Sequence, residues 1–166
     1  MKTTVLAMVF CWSLAASAAA EDAGGTTNFK HYVTVLATTT VAYRPPGESF
    51  DGFQNDVTPQ IGYGYLVTPR LALELDAGPT YSHGDYASFS LVPGAILTLS
   101  PRFYGALRFV IPVDPETNLA VSPGLGAVFS LSSRHALYVE ADVASFVGRG
   151  DPDLGVTLTA GFIHSF

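Results

Sequence analysis

Five charged residues stand at matched positions along the chain: Glu74, Asp76, Arg108, Glu140 and Asp142. Counted from Arg70, Arg102 and Arg134 in turn, Asp76, Arg108 and Glu140 each fall six residues further on. A guanidinium offers five N–H donors in a fixed fork, and ionised carboxylates only accept. One arginine among four carboxylates at a common depth is therefore the raw material of a charge-assisted hydrogen-bond network. Three uses are open: a polar plug that satisfies itself and fixes strand register, a gate in a narrow ion or solute path, or a catalytic carboxylate pair. The plug is the reading adopted, and no catalytic residue is assigned.

Other chemistry-bearing clusters read more simply. Ser82-His83-Gly84-Asp85 holds the residue types of a hydrolytic triad. Neighbours in one loop rarely meet the nucleophile, base and orienter geometry, and Gly, Asp and Ser are also what a turn requires. His31, His135 and His164 are spread along the chain and read as interfacial residues, so no metal and no cofactor is expected. Arg149-Gly150-Asp151-Pro152 contains a cell-adhesion tripeptide, yet each of its residues also has a turn role.

The three reference arginines lie in a repeat. Val67-Thr68-Pro69-Arg70, Leu99-Ser100-Pro101-Arg102 and Leu131-Ser132-Ser133-Arg134 are spaced by 32 residues, and 32 more reaches Phe166. Such a period marks a recurring supersecondary unit. Thirty-two residues accommodate two strands, one tight turn and one longer loop. Eight strands follow, over 32–43, 57–67, 71–82, 89–99, 103–113, 119–131, 137–147 and 154–166. They alternate with period two: Leu71, Leu73, Leu75 and Ala77 oppose Ala72, Glu74, Asp76 and Gly78, and Leu137, Val139, Ala141 and Val143 oppose Tyr138, Glu140, Asp142 and Ala144.

Composition says where the apolar face points. The chain is 13% charged with a net charge of −6, against about 25% charged in an ordinary soluble domain. Residues 1–20 read as a cleaved signal peptide: Lys2, an apolar stretch from Thr4 to Leu14, and small residues at Ala16-Ser17-Ala18 or Ala18-Ala19-Ala20. That stretch falls short of the roughly 20 residues of a spanning helix. The one cysteine, Cys11, lies inside it, so the exported chain has no disulfide to lean on. A short segment, 21–30, precedes the strand domain, 31–166.

All charges within the strands share one face, which is otherwise rich in Gly, Ala, Ser and Thr. This suits a narrow lumen rather than the greasy cavity of a lipocalin-like carrier. The other face would meet lipid, where Arg or Lys near the midplane costs roughly 2–4 kcal/mol. The final strand alternates Leu154, Val156, Leu158, Ala160 and Phe162 with Gly155, Thr157, Thr159 and Gly161, and ends on Phe166. Together with the export signal, this resembles the OmpA/OmpX-type small outer-membrane barrels of Gram-negative bacteria. The resemblance covers residues 21–166 in pattern and only the last strand in motif; His164 departs from the residue types usual at the third position from the end.

The resemblance implies an all-β fold, an eight-stranded antiparallel up-and-down transmembrane β-barrel in the cell outer membrane. It implies that Phe162 and Phe166 are read by the barrel-assembly machinery, with outer-membrane lipid and lipopolysaccharide as surroundings. A monomer with a structural or surface-interaction role and no catalysis is expected. A narrow, porin-like channel for small solutes or ions is the alternative, and a lipid-modifying enzyme using Ser82 and His83 the third reading. The loops hold Glu48, Asp51, Asp56, Asp85, Asp114, Glu116, Asp151 and Asp153 against Arg44 and Arg149. That acidic face excludes nucleic acid and is compatible with weak divalent-cation binding. Tyr43, Tyr81, Phe89, Phe103, Tyr104, Phe162 and Phe166 are expected in aromatic girdles. Pro59, Pro93 and Pro123 are expected beyond the lipid, where the strands leave the membrane.

Overall fold

A computed structural model describes residues 29–45, 49, 52, 54–113, 119–146 and 153–166. The expected signal peptide over 1–20, most of the 21–30 segment and Arg149-Gly150-Asp151 lie outside the described residues. The strands are β1 (His31–Arg44), β2 (Asp56–Leu66), β3 (Leu71–Ser82), β4 (Asp85–Thr98), β5 (Phe103–Pro112), β6 (Ala120–Ser130), β7 (His135–Phe146) and β8 (Asp153–Ser165). Each pairs antiparallel with the next, and β8 closes on β1 from Tyr32↔Ser165 to Arg44↔Leu154. A closed ring leaves no strand edge, which is the condition for a sheet in hydrocarbon.

The alternation settles which face is inside. Leu73, Val139 and Leu158 are 52%, 45% and 44% exposed, while Asp76 and Glu140 are 1% and 3% exposed. The outer wall is a continuous apolar band that water would not tolerate and lipid would. The barrel is a transmembrane one, apolar outside and polar within.

Three turns of four residues repeat one design. In each, the first two N–H groups donate to the carbonyl of the residue that opens the next strand: Val67 and Thr68 to Leu71, Leu99 and Ser100 to Phe103, Leu131 and Ser132 to His135. The hydroxyls of Thr68, Ser100 and Ser132 then accept from the turn arginine's N–H and the one after it. The period of the sequence is thus the period of a hydroxyl-capped turn.

Three expectations are corrected. First, β4 begins at Asp85 rather than 89, because the expected loop over 83–88 is a two-residue turn. His83 and Gly84 both have positive φ, at 55° and 94°, and Ser82 pairs directly with Asp85. That is the handedness a tight hairpin demands, supplied by a glycine and by one of the side chains that tolerate it.

Second, Pro59, Pro93 and Pro123 sit inside the strands, at the depth of the charged residues. Pro93 lies opposite Leu75, beside Asp76, and Pro123 opposite Leu107, beside Arg108. Each has a ladder partner on one neighbouring strand only. On the other side the pairing skips from Val57↔Tyr81 to Ile61↔Ala77, from Leu91↔Ile111 to Gly94↔Arg108, and from Val121↔Ser145 to Gly124↔Asp142. The register is the same before and after each gap, so no residue is inserted. The missing proline N–H interrupts the ladder without shifting it.

Third, Tyr104 belongs to no girdle. It points inward and is 6% exposed, as are Tyr32 at 8% and Tyr138 at 3%. Each ring covers a glycine on the next strand: Tyr32 over Gly64, Tyr104 over Gly126 and Tyr138 over Gly161. A Cβ at Gly126 would overlap the Tyr104 ring, so the glycine is there for close approach. Tyr104 and Tyr138 form one buried cluster with Leu36 and Ala106, with Ile96, Val128 and Ile163 packed against it.

Candidate functional site

Alternation on β3, β5 and β7 brings Glu74, Asp76, Arg108 and Glu140 together directly above the tyrosine layer. The Arg108 fork is answered on both sides. Its Nε donates to Glu140 Oε1 at 2.8 Å and its Nη2 to Glu140 Oε2 at 3.1 Å, a bidentate pair. Its Nη1 donates to Glu74 Oε1 at 2.7 Å and to Asp76 Oδ2 at 3.1 Å. Thr34 of β1 donates to the other oxygen of Asp76 at 3.2 Å. Charge-assisted bonds of this length are the strong ones, and here they cross from wall to wall of the lumen.

Asp142 does not reach Arg108. It stands two residues further along β7, over Gly124, and is 4% exposed. Its Oδ1 has no hydrogen-bond partner. Thr34 was not singled out from the sequence, although it follows Tyr32 and precedes Leu36 on the inward face of β1; strand alternation was the signal that could have found it.

Above the network the lumen widens into a cavity of about 370 Å³ at the loop end. Asp76, Arg108 and Asp142 form its floor, and Thr38, Thr58, Ser90 and Thr159 part of its wall. The hydroxyls of Thr38 and Thr159 bond at 2.8 Å, and those of Thr58 and Thr80 at 3.0 Å. Asp56 and Asp153 line the upper part. There Tyr43 donates to Asp153 Oδ2 at 2.9 Å, while Asp153 Oδ1 has no partner.

The remaining candidates lie apart. Ser82 Oγ is 3.2 Å from His83 Nδ1 on the exposed two-residue turn; among the described residues no hydrogen bond joins Asp85 to His83. At the opposite end, His135 and His164 bond through ring nitrogens at 2.9 Å, and His31 stacks on Phe166 at 5.9 Å between ring centres. Phe162 stacks on His135 at 5.5 Å. The histidines thus tie the chain end into the seam between β7, β8 and β1.

The chain is similar in structure to Neisserial surface protein A, at 15% identity and a TM-score of 0.57, covering 82% of this chain and 97% of that one. It is also similar to Ail, the attachment invasion locus protein of Yersinia pestis, at 11% identity and a TM-score of 0.55, with 84% and 100% covered. A de novo designed transmembrane β-barrel aligns at 17% identity and a TM-score of 0.50, over 84% of this chain and 98% of the design. The fold is that of the small eight-stranded outer-membrane β-barrels. No family model and no curated protein matches the sequence. At such identities the likeness speaks for the fold alone.

Proposed function

We propose that this chain is an integral outer-membrane barrel protein, exported by a cleaved signal peptide over residues 1–20, with a structural or surface-interaction role and no catalysis. The observation that carries this reading is the closed lumen. Tyr32, Tyr104 and Tyr138 stand below the Arg108 network, and together they fill the interior beneath the cavity, in a barrel whose eight strands leave room for little more than side chains. What remains for contact with the outside is the loop end, as the resemblance to surface proteins suggests. In planar bilayers the purified barrel is expected to be silent. Discrete single-channel steps that change in Arg108→Ala would overturn the closed scaffold in favour of the second reading, a narrow channel, which draws on the cavity reaching halfway down the lumen.

The partners proposed are outer-membrane lipid, lipopolysaccharide and the barrel-assembly machinery, around a monomer. Phe166 sits at the seam, its N–H donating to the His31 carbonyl at 2.9 Å, and Phe162 is linked to it through the rings of His135 and His164. Deleting Phe166 is expected to lower the heat-modifiable barrel in outer-membrane fractions severalfold while leaving refolding of the purified chain into detergent intact. Equal losses in both settings would make Phe166 a packing residue, not an assembly signal.

A further inference from the structure

The cavity above Arg108 has a charge balance that the network beneath it leaves unsettled. Four carboxylates line it, Asp76 and Asp142 on the floor and Asp56 and Asp153 towards the mouth. The single cation among its lining residues, Arg108, directs its hydrogen bonds to Glu140, Glu74 and Asp76.

Two of those carboxylates have one oxygen each without a donor. Asp142 is 4% exposed and its Oδ1 is unpartnered; Asp153 Oδ1 is also buried and unpartnered. A buried carboxylate oxygen without a donor is costly, and an added cation with N–H groups relieves both the charge and the missing bond. A primary ammonium offers three donors and no acceptor, which is the complement of this lining.

The carboxylates fall in two tiers. Asp142 lies opposite Thr157 and Asp153 opposite Phe146, four residues apart along both strands. At about 3.3 Å per residue and a tilt near 40°, that is roughly 10 Å along the barrel axis. The wall is mixed: Thr38, Thr157 and Thr159 line it together with Val110, Ala144 and Phe146. Hydroxyls and apolar surface in one narrow cup suit a methylene chain better than a hydrated ion. Its volume, about 370 Å³, is within the range of small-molecule sites.

We propose that the cup binds a linear diamine or polyamine from the outside, one ammonium on the Asp142 and Asp76 floor and the other at Asp153 and Asp56, with the methylenes against Val110, Ala144 and Phe146. This goes beyond the scaffold reading and needs no conducting path through the tyrosine layer.

The test is calorimetric titration of the folded barrel in detergent or nanodiscs with 1,4-diaminobutane and spermidine, against n-butylamine and magnesium chloride at matched ionic strength. Saturable binding of the diamines is expected, with n-butylamine at least tenfold weaker. Asp142→Asn and Asp153→Asn are each expected to weaken the diamines at least tenfold, with heat-modifiable migration as the folding control. If Asp142→Asn does not fold, Asp153→Asn at the mouth decides alone. No saturable heat, equal affinity for butylamine, or a magnesium affinity matching the diamines' would overturn the proposal, as would wild-type binding by the folded variants.

Discussion

Arg108→Ala is expected to cost about 3–5 kcal/mol of unfolding free energy, because it removes one partner from a buried ion cluster and leaves the others uncompensated. Arg108, Glu74 and Glu140 have side chains 10%, 2% and 0% exposed, so water does not replace what the guanidinium supplied. Denaturant unfolding of the refolded barrel, followed by far-ultraviolet circular dichroism and gel migration, measures the loss. Neutralising the carboxylates should offset the loss: Arg108→Ala combined with Glu74→Gln and Glu140→Gln should recover much of the stability, since the penalty is stranded charge rather than lost volume. If the single and triple variants are equally unstable, the network acts through packing and the electrostatic account fails.

One position earlier, the same side chain should do the opposite. Leu107 is 43% exposed near the middle of β5 and faces outward. Leu107→Arg is expected to cost roughly 2–4 kcal/mol in a bilayer, the penalty for a cation at the midplane. On a water-facing strand such a change would be nearly neutral. Unfolding from lipid vesicles is the measurement, and an indifferent Leu107→Arg would remove the membrane from this account. Two adjacent residues, one requiring arginine and one forbidding it, restate the period of the strand in energetic form.

How far this architecture was legible differs from residue to residue. The count and order of strands followed from Arg70, Arg102 and Arg134, because a four-residue turn with a hydroxyl cap is a local device and local devices leave local patterns. Orientation followed from Glu74, Asp76, Arg108, Glu140 and Asp142 sharing a face, since lipid tolerates none of them outside. The spacing also set depth along the axis, and Asp76, Arg108 and Glu140 do meet in the structure. Asp142, eight residues past Arg134 on the same strand as Glu140, lies further along the axis and beyond the reach of Arg108.

One tyrosine departs from expectation because composition stood in for alternation. Tyr104 looks like a girdle residue by type, but it alternates with Phe103 and Gly105 and so must point in. What admits it is Gly126 across the ladder, a pairing that only the register reveals. The prolines failed for a related reason. Proline forbids a donor, but a strand residue directs its donor to one neighbour only, and the sequence does not say which.

Those prolines have a consequence for where the wall is weak. Each gap lies between strands joined by a four-residue turn, β2 with β3, β4 with β5, and β6 with β7. The joint of β8 with β1, where the two ends of the chain meet and no peptide link helps, runs unskipped but for one bulge near Thr40. Like a cask whose looser staves are ones already hinged together, the cylinder keeps a long ladder with no proline gap at the junction that covalent chemistry does not secure.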